Sequence, residues 1–128
     1  RGASFHADLL HEYADIDIAL DPFPFTGGLS SCEALWMGVP IITWPQAQVV
    51  SRQTWAFLSV IGHPEWAATC QADYVQQAVA LAADVAHLAQ LRTTLRPTLQ
   101  ASPLCQVAAF TRGLEDALMG LARTVAPA

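Results

Sequence analysis

Apolar positions along this chain change their period several times, and each change marks an element. Phe5, Leu9, Leu10 and Tyr13 recur at near-helical spacing behind Ser4, a residue suited to cap a helix. Residues 16–20, Ile-Asp-Ile-Ala-Leu, alternate too little for a half-exposed strand and predict a buried parallel one. Asp21-Pro22-Phe23-Pro24-Phe25 fits neither helix nor central strand, because each proline removes a donor and restrains its predecessor. An extended turn is expected there, and Thr26-Gly27-Gly28 behind it supplies a close turn. A helix is predicted over 31–37, stopped by Gly38, and residues 39–44 read as a second buried strand.

Further along, residues 51–61 place Trp55, Leu58 and Ile61 on one helical stripe, with Ser51 as N-cap and Arg52 in the first turn. Gly62-His63-Pro64 breaks this helix, and Trp66-Ala67-Ala68 reads as a short third strand. Residues 74–83 predict a helix with Asp73 placed favourably at its start. Residues 85–95 and 107–123 predict two more, separated by Ala101-Ser102-Pro103-Leu104, and the last carries Phe110, Leu114, Leu118 and Leu121 on one face. The expected class is α/β: about three parallel strands with helices around them, then an all-helical tail. Residues 1–128 make a single domain in this reading, with a first unit over about 4–70 and the tail over about 71–123.

At 128 residues the chain can bury a real core, and with 53% hydrophobic and 13% charged residues it is not a disordered sequence. So little charge suits either a face packed against another domain or a simply Ala-rich composition. A net charge of −5, with six basic residues that are all arginine, argues against nucleic acid as a partner. No run reaches the roughly 18 apolar residues of a membrane span, and the opening RGASFHADLL lacks a signal-peptide core. Cys32, Cys70 and Cys105 show no metal or redox spacing, which suits a cytoplasmic location, and are expected to be small buried hydrophobes. His6, His11, His63 and His87 make no metal set, and no Ser-His-Asp or paired-carboxylate spacing suggests a hydrolase. The start without methionine, directly into a helix-like segment, suggests a piece of a longer protein.

The best candidate for chemistry is Gly27-Gly28-Leu29-Ser30-Ser31. Glycines let backbone approach a diphosphate, free N–H groups at a helix start donate to it, and hydroxyls add bonds. A second reading competes, because Ser30-Ser31-Cys32-Glu33 also fits a capping box, with Ser30 the cap and Glu33 bonding back. Arg52 at a helix start calls for a partner, either a carboxylate at the core rim or a phosphate. Asp21 before Pro22 reads as a turn former. Phe23, Trp36, Trp44, Trp55 and Trp66 are expected to pack, and Phe25 to stand apart.

The run DIALDPFPFTGGLSSCEALWMGVPIITW, followed by Pro45-Gln46 and Ser51-Arg52, resembles the catalytic region of the O-GlcNAc transferase and SPINDLY-like glycosyltransferases, family 41, in its bacterial form. The likeness extends from about Ser4 to Arg123. It implies the Rossmann-like C-terminal half of a GT-B fold, in a protein that also carries an N-terminal catalytic half and TPR repeats. It also implies a UDP-sugar donor, a protein acceptor at Ser or Thr, and no metal or other cofactor. Gly28, Leu29, Ser30 and Ser31 would hold the diphosphate and Glu33 the ribose. His6 would lie near the base, with Phe25 and Arg52 near the donor. Two departures stand out: Leu29 replaces a hydroxyl or histidine residue, and Gln46-Ala47 replaces a glycine and an acid. They favour an alternative reading, a degenerate or excised domain that binds nucleotide weakly or only partners its other half. A dinucleotide binder is a third reading, disfavoured by the lack of GxGxxG after a strand. The chain contains no lysine, so charge for the leaving diphosphate must come from elsewhere, and the isolated segment is expected to be inactive.

Overall fold

The computed structural model describes residues 6–125. Helix α1 (His6–Glu12) runs into a 3-10 turn (Tyr13–Asp15) and is followed by β1 (Ala19–Leu20), α2 (Leu29–Trp36) and β2 (Ile41–Ile42). A turn (Val49–Ser51) leads to α3 (Gln53–Val60). Another turn (Pro64–Trp66) leads to α4 (Gln71–Ala83) and α5 (Val85–Ala101), and a last turn (Pro103–Cys105) opens α6 (Val107–Val125). The Ser4 cap and Phe5 lie outside the described residues.

β1 and β2 are parallel, with Ala19 opposite Ile41 and Leu20 opposite Ile42. Ala19 N–H donates to the Pro40 carbonyl (2.9 Å) and Asp21 N–H to that of Ile42 (3.0 Å). Both strands are shorter than the pattern predicted. At the start of the first, the Ile16 carbonyl accepts from the Arg92 guanidinium instead of a neighbouring strand. The expected third strand shrinks to one parallel bridge between Thr43 and Ala67, because a 3-10 turn beginning at Pro64 extends through Trp66.

The end of α2 follows its sequence closely. Gly38 has φ +80, its N–H bonds the Leu35 carbonyl, and Val39 N–H bonds that of Ala34, which together make a Schellman motif. Two arginines of α5 close the same end. Arg92 donates to the Met37 carbonyl (3.3 Å), and Arg96 Nε donates to that of Trp36 (2.6 Å) while its guanidinium lies over the Trp36 ring. Cations here complement the negative helix terminus.

Leu35, Val39, Ile41, Ile42, Leu58, Trp66, Leu91, Leu95 and Leu99 form one core. The three leucines of α5 stand four apart and face α2 and the sheet, so α5 belongs to the core of the α/β unit. It also runs past the predicted end at residue 95, through Pro97, to Ala101. Proline in a helix interior costs about 3 kcal/mol, and burial of Leu95 and Leu99 on the inner face offsets it while Pro97 stays exposed.

Four expectations need correction. The first strand is not buried, for Ala19 is half-buried and Leu20 is 58% exposed at the edge of the pair. Trp55 is 40% exposed, since α3 turns Thr54 and Leu58 inward instead. Ser51 does not cap α3; it is buried, accepts from Gln46 N–H (3.0 Å) and donates to the Gln48 carbonyl (2.7 Å), leaving Arg52 at the cap position. The cysteines are not buried, for Cys70 and Cys105 are exposed and Cys32 half-buried. In α6 every described side chain is exposed, including Phe110, Leu114, Leu118 and Leu121. Among the described residues no helix is long and apolar enough to cross a membrane.

Candidate functional site

The turn after β1 is organised by one carboxylate. Asp21, 4% exposed, accepts from Gly27 N–H at Oδ1 (2.8 Å) and from the Thr43 hydroxyl at Oδ2 (2.6 Å). Its carbonyl accepts from the Tyr74 hydroxyl (2.9 Å). The turn-forming role expected of Asp21 is therefore larger than a local one: it ties the glycine loop to the end of β2 and to α4. Thr26 anchors the other side, its N–H and hydroxyl both reaching the Val50 carbonyl (3.1 and 2.8 Å). Gly27 is required by space, because a Cβ there would stand 2.3 Å from Ser31 Oγ.

So held, the chain enters α2 at Leu29, two residues earlier than predicted. Gly28 is the N-cap and no side chain caps the helix. Ser30 lies in the first turn, and the capping-box reading of Ser30 is corrected. Gly28, Leu29 and Ser30 present backbone N–H groups that find no acceptor among the described residues. Such donors at a helix start favour an anion. The Ser31 hydroxyl is turned away and buried against Thr54 Oγ1 (2.8 Å), which also contacts the Gly27 carbonyl (3.2 Å).

Two hollows flank this helix start. An open cleft of about 440 Å³ beside β1 is lined by Tyr13, Leu20, Asp21, Phe25, Gly28 and Ser30, among others, with Ser31 in its wall. The second, about 350 Å³, is lined by Leu10, Leu29, Cys32, Glu33, Trp36, Leu99, Leu104 and Cys105. The structure thus brings Gly28, Ser30, Ser31 and Phe25 to one side of the α2 terminus and Leu29 and Glu33 to the other. Phe25 is 66% exposed and Leu29 73%. Arg52 lies in neither hollow, but in a groove with Val49, Gln53, Trp55 and Ala56, and has no ion-pair partner among the described residues. His6 begins α1, and the base contact expected of its side chain lies outside what is described.

Two tyrosines missed by the sequence reading frame the site. Tyr13 donates to the Ser30 carbonyl (3.3 Å); burial, and then the Glu33 charge, raise its pKa, so it stays a neutral donor. Tyr74 is raised likewise by burial and then by Asp21. Only the fold could reveal Tyr74, which lies 53 residues from Asp21. Tyr13 had been visible merely as an apolar position of the first helix.

The family model for glycosyl transferase family 41 matches residues 12–114. A probable UDP-N-acetylglucosamine–peptide N-acetylglucosaminyltransferase SPINDLY of Solanum lycopersicum is 38% identical over 109 residues, which is 85% of this chain and 12% of that protein. A UDP-N-acetylglucosamine–peptide N-acetylglucosaminyltransferase of Caenorhabditis elegans is 32% identical over 80% of this chain and 9% of that protein. Among solved structures, a mutant O-GlcNAc transferase of Thermobaculum terrenum superimposes with a TM-score of 0.83 at 40% identity, covering 90% of this chain and 22% of that one. The chain spans about an eighth of the length of the SPINDLY relatives it matches. A match across most of the chain, in both sequence and backbone, means that it belongs to glycosyl transferase family 41.

Proposed function

We propose that this chain is the nucleotide-sugar-binding portion of an inverting glycosyltransferase that transfers N-acetylglucosamine from a UDP donor to protein Ser or Thr. On this reading it is part of the Rossmann-like C-terminal half of a GT-B catalytic region. The observation that carries the reading is the start of α2, where the N–H groups of Gly28, Leu29 and Ser30 have no acceptor among the described residues and Gly28 and Ser30 line an open cleft. As the acceptor hydroxyl attacks the anomeric carbon, negative charge grows on the departing diphosphate. Fixed N–H dipoles stabilise that charge without reorganising. Ser30 adds an exposed hydroxyl, and Glu33 suits the two vicinal hydroxyls of a ribose as their acceptor. Lysine is absent from the sequence, so further positive charge and the acceptor-side groups come from other parts of the full-length protein. The similar N-acetylglucosaminyltransferases support N-acetylglucosamine as the sugar.

Titration of the full-length protein with UDP and with uridine tests the diphosphate contact. UDP is expected to bind about tenfold or more tightly, the 1.4 kcal/mol of a single charge-assisted hydrogen bond. Equal affinities would remove the α2 terminus from the site. A second reading, a degenerate domain that binds nucleotide weakly, is favoured by Leu29, whose exposed side chain donates nothing, and by the turned-away Ser31 hydroxyl. It predicts weak UDP binding in the same titration, or none if the domain only partners its other half.

A further inference from the structure

We propose that Cys32 and Cys105 form a peroxide-responsive pair, in which an oxidant of the hydroperoxide class joins them as a disulfide between α2 and the α5–α6 turn. The idea goes beyond sugar transfer and does not depend on it. Both cysteines line the same hollow of about 350 Å³, although 73 positions separate them in sequence. Cys105 sits exposed at the end of the turn Pro103–Cys105. That turn is anchored by buried Ser102, whose hydroxyl donates to the Leu99 carbonyl (2.7 Å) and accepts from Leu104 N–H (3.3 Å). Cys32 faces it from α2, half-buried among Leu10, Trp36 and Leu104.

The two thiols have different parts to play. Burial first, then the charges of Cys105 and Glu33, raise the Cys32 pKa and keep this thiol protonated. Exposure makes Cys105 the sulfur that a peroxide meets first. Having released its proton, it attacks one peroxide oxygen as the thiolate, the O–O bond breaks, and a sulfenic acid and a hydroxide result. The hydroxide takes up the released proton to become water. Cys32 then gives up its proton as its sulfur attacks the sulfenic sulfur, and that proton leaves with the sulfenic hydroxyl as a second water, giving the disulfide. In all, two thiols and one hydrogen peroxide yield one disulfide and two waters, with two electrons passing from sulfur to oxygen. A disulfide requires Cα atoms about 4.4–6.8 Å apart. The joined product therefore needs the turn and α2 at that separation, and α6 beyond the turn has no buried side chain among its described residues. Cys70 is an internal control: exposed at the N-cap of α4, it does not line the hollow.

The test is peptide mapping of the full-length protein after hydrogen peroxide, with free thiols alkylated and sulfenic acids trapped by dimedone. The expected product is a peptide joining Cys32 to Cys105, lighter by two hydrogens than its parts and split by dithiothreitol. Cys32→Ser should raise dimedone labelling of Cys105 about tenfold, since the resolving thiol is gone, and leave Cys70 labelling unchanged. Absence of the joined peptide in the unsubstituted protein, with Cys105 trapped as sulfenic acid while Cys32 is still alkylated, would overturn the proposal.

Discussion

At the scale of single residues, Asp21 does the most to position the loop. Its carboxylate holds Gly27 and Thr43 from inside the protein, so Asp21→Ala leaves a half-buried N–H and a buried hydroxyl without their acceptor. The expected loss is about 3 kcal/mol of unfolding free energy, the range for hydrogen bonds to a charged group, read from urea denaturation. Asp21→Asn should lose less, because an amide oxygen still accepts from Gly27 and the Thr43 hydroxyl can turn to accept. Glu33 is expected to act on the ligand instead. Glu33→Ala tests that role. UDP binding by the full-length protein should weaken by about 1–3 kcal/mol in calorimetry. Unaltered affinity would take Glu33 out of the ribose role. The sequence exposed Asp21 but not its part: an Asp before Pro suggests a local turn, and nothing near it in the chain announces Thr43 or Tyr74 as partners.

Among the elements, α2 is the one whose two ends were legible to different degrees. Its C-terminus follows from a single residue, since Gly38 alone can take φ +80 beneath the backbone of α5. A Cβ there would lie 2.5 Å from the Arg92 carbonyl oxygen, so Gly38→Ala should destabilise by about 2 kcal/mol or more, through both left-handed strain and the clash. Its N-terminus was misplaced because tertiary bonds from Asp21 and Thr54, not a capping side chain, fix where the helix begins. Helix α5 was cut short at a proline that packing overrides. Leu95→Ala, which empties a core position 1% exposed, should lower stability by about 2–5 kcal/mol. At the start of α4, Asp73 accepts from the Thr69 N–H (2.7 Å), then from the Thr69 hydroxyl and the Gln77 amide, and these bonds hold its pKa below the ordinary 3.8. A depressed carboxylate contributes stability above the unfolded-state pKa and loses it as pH falls through the folded one. Asp73→Asn should therefore melt below the parent protein at neutral pH, and the gap should close as pH drops below 3.8.

For the molecule as a whole, stability is unevenly spread. The core joins β1, β2, α2, α3 and α5, while α6 carries an apolar stripe with nothing described against it. Hydrogen exchange on the 128-residue chain should find the amides around Leu91, Leu95 and Leu99 most protected and those of α6 least, because protection follows buried packing. Equal protection of α5 and α6 would mean that the stripe is covered by self-association in solution.

What the sequence determined by itself was whatever a few adjacent residues decide. Two strands, a proline turn, a glycine-serine loop opening a helix and a glycine closing it are all consequences of local sterics and apolar periodicity. The amphipathic last helix is another, because its period survives whether or not anything covers it. The tertiary structure decided the rest. It set how short the strands are, because Arg92 and a 3-10 turn take carbonyls and geometry that a longer sheet would need. It turned the Ser31 hydroxyl inward and left that of Ser30 outside, although the two are neighbours with the same side chain. It brought Cys105 to Cys32 and Tyr74 to Asp21 across 73 and 53 positions. Such pairings arise only when helices pack, since side chains that meet across a core leave no trace in the spacing of either segment.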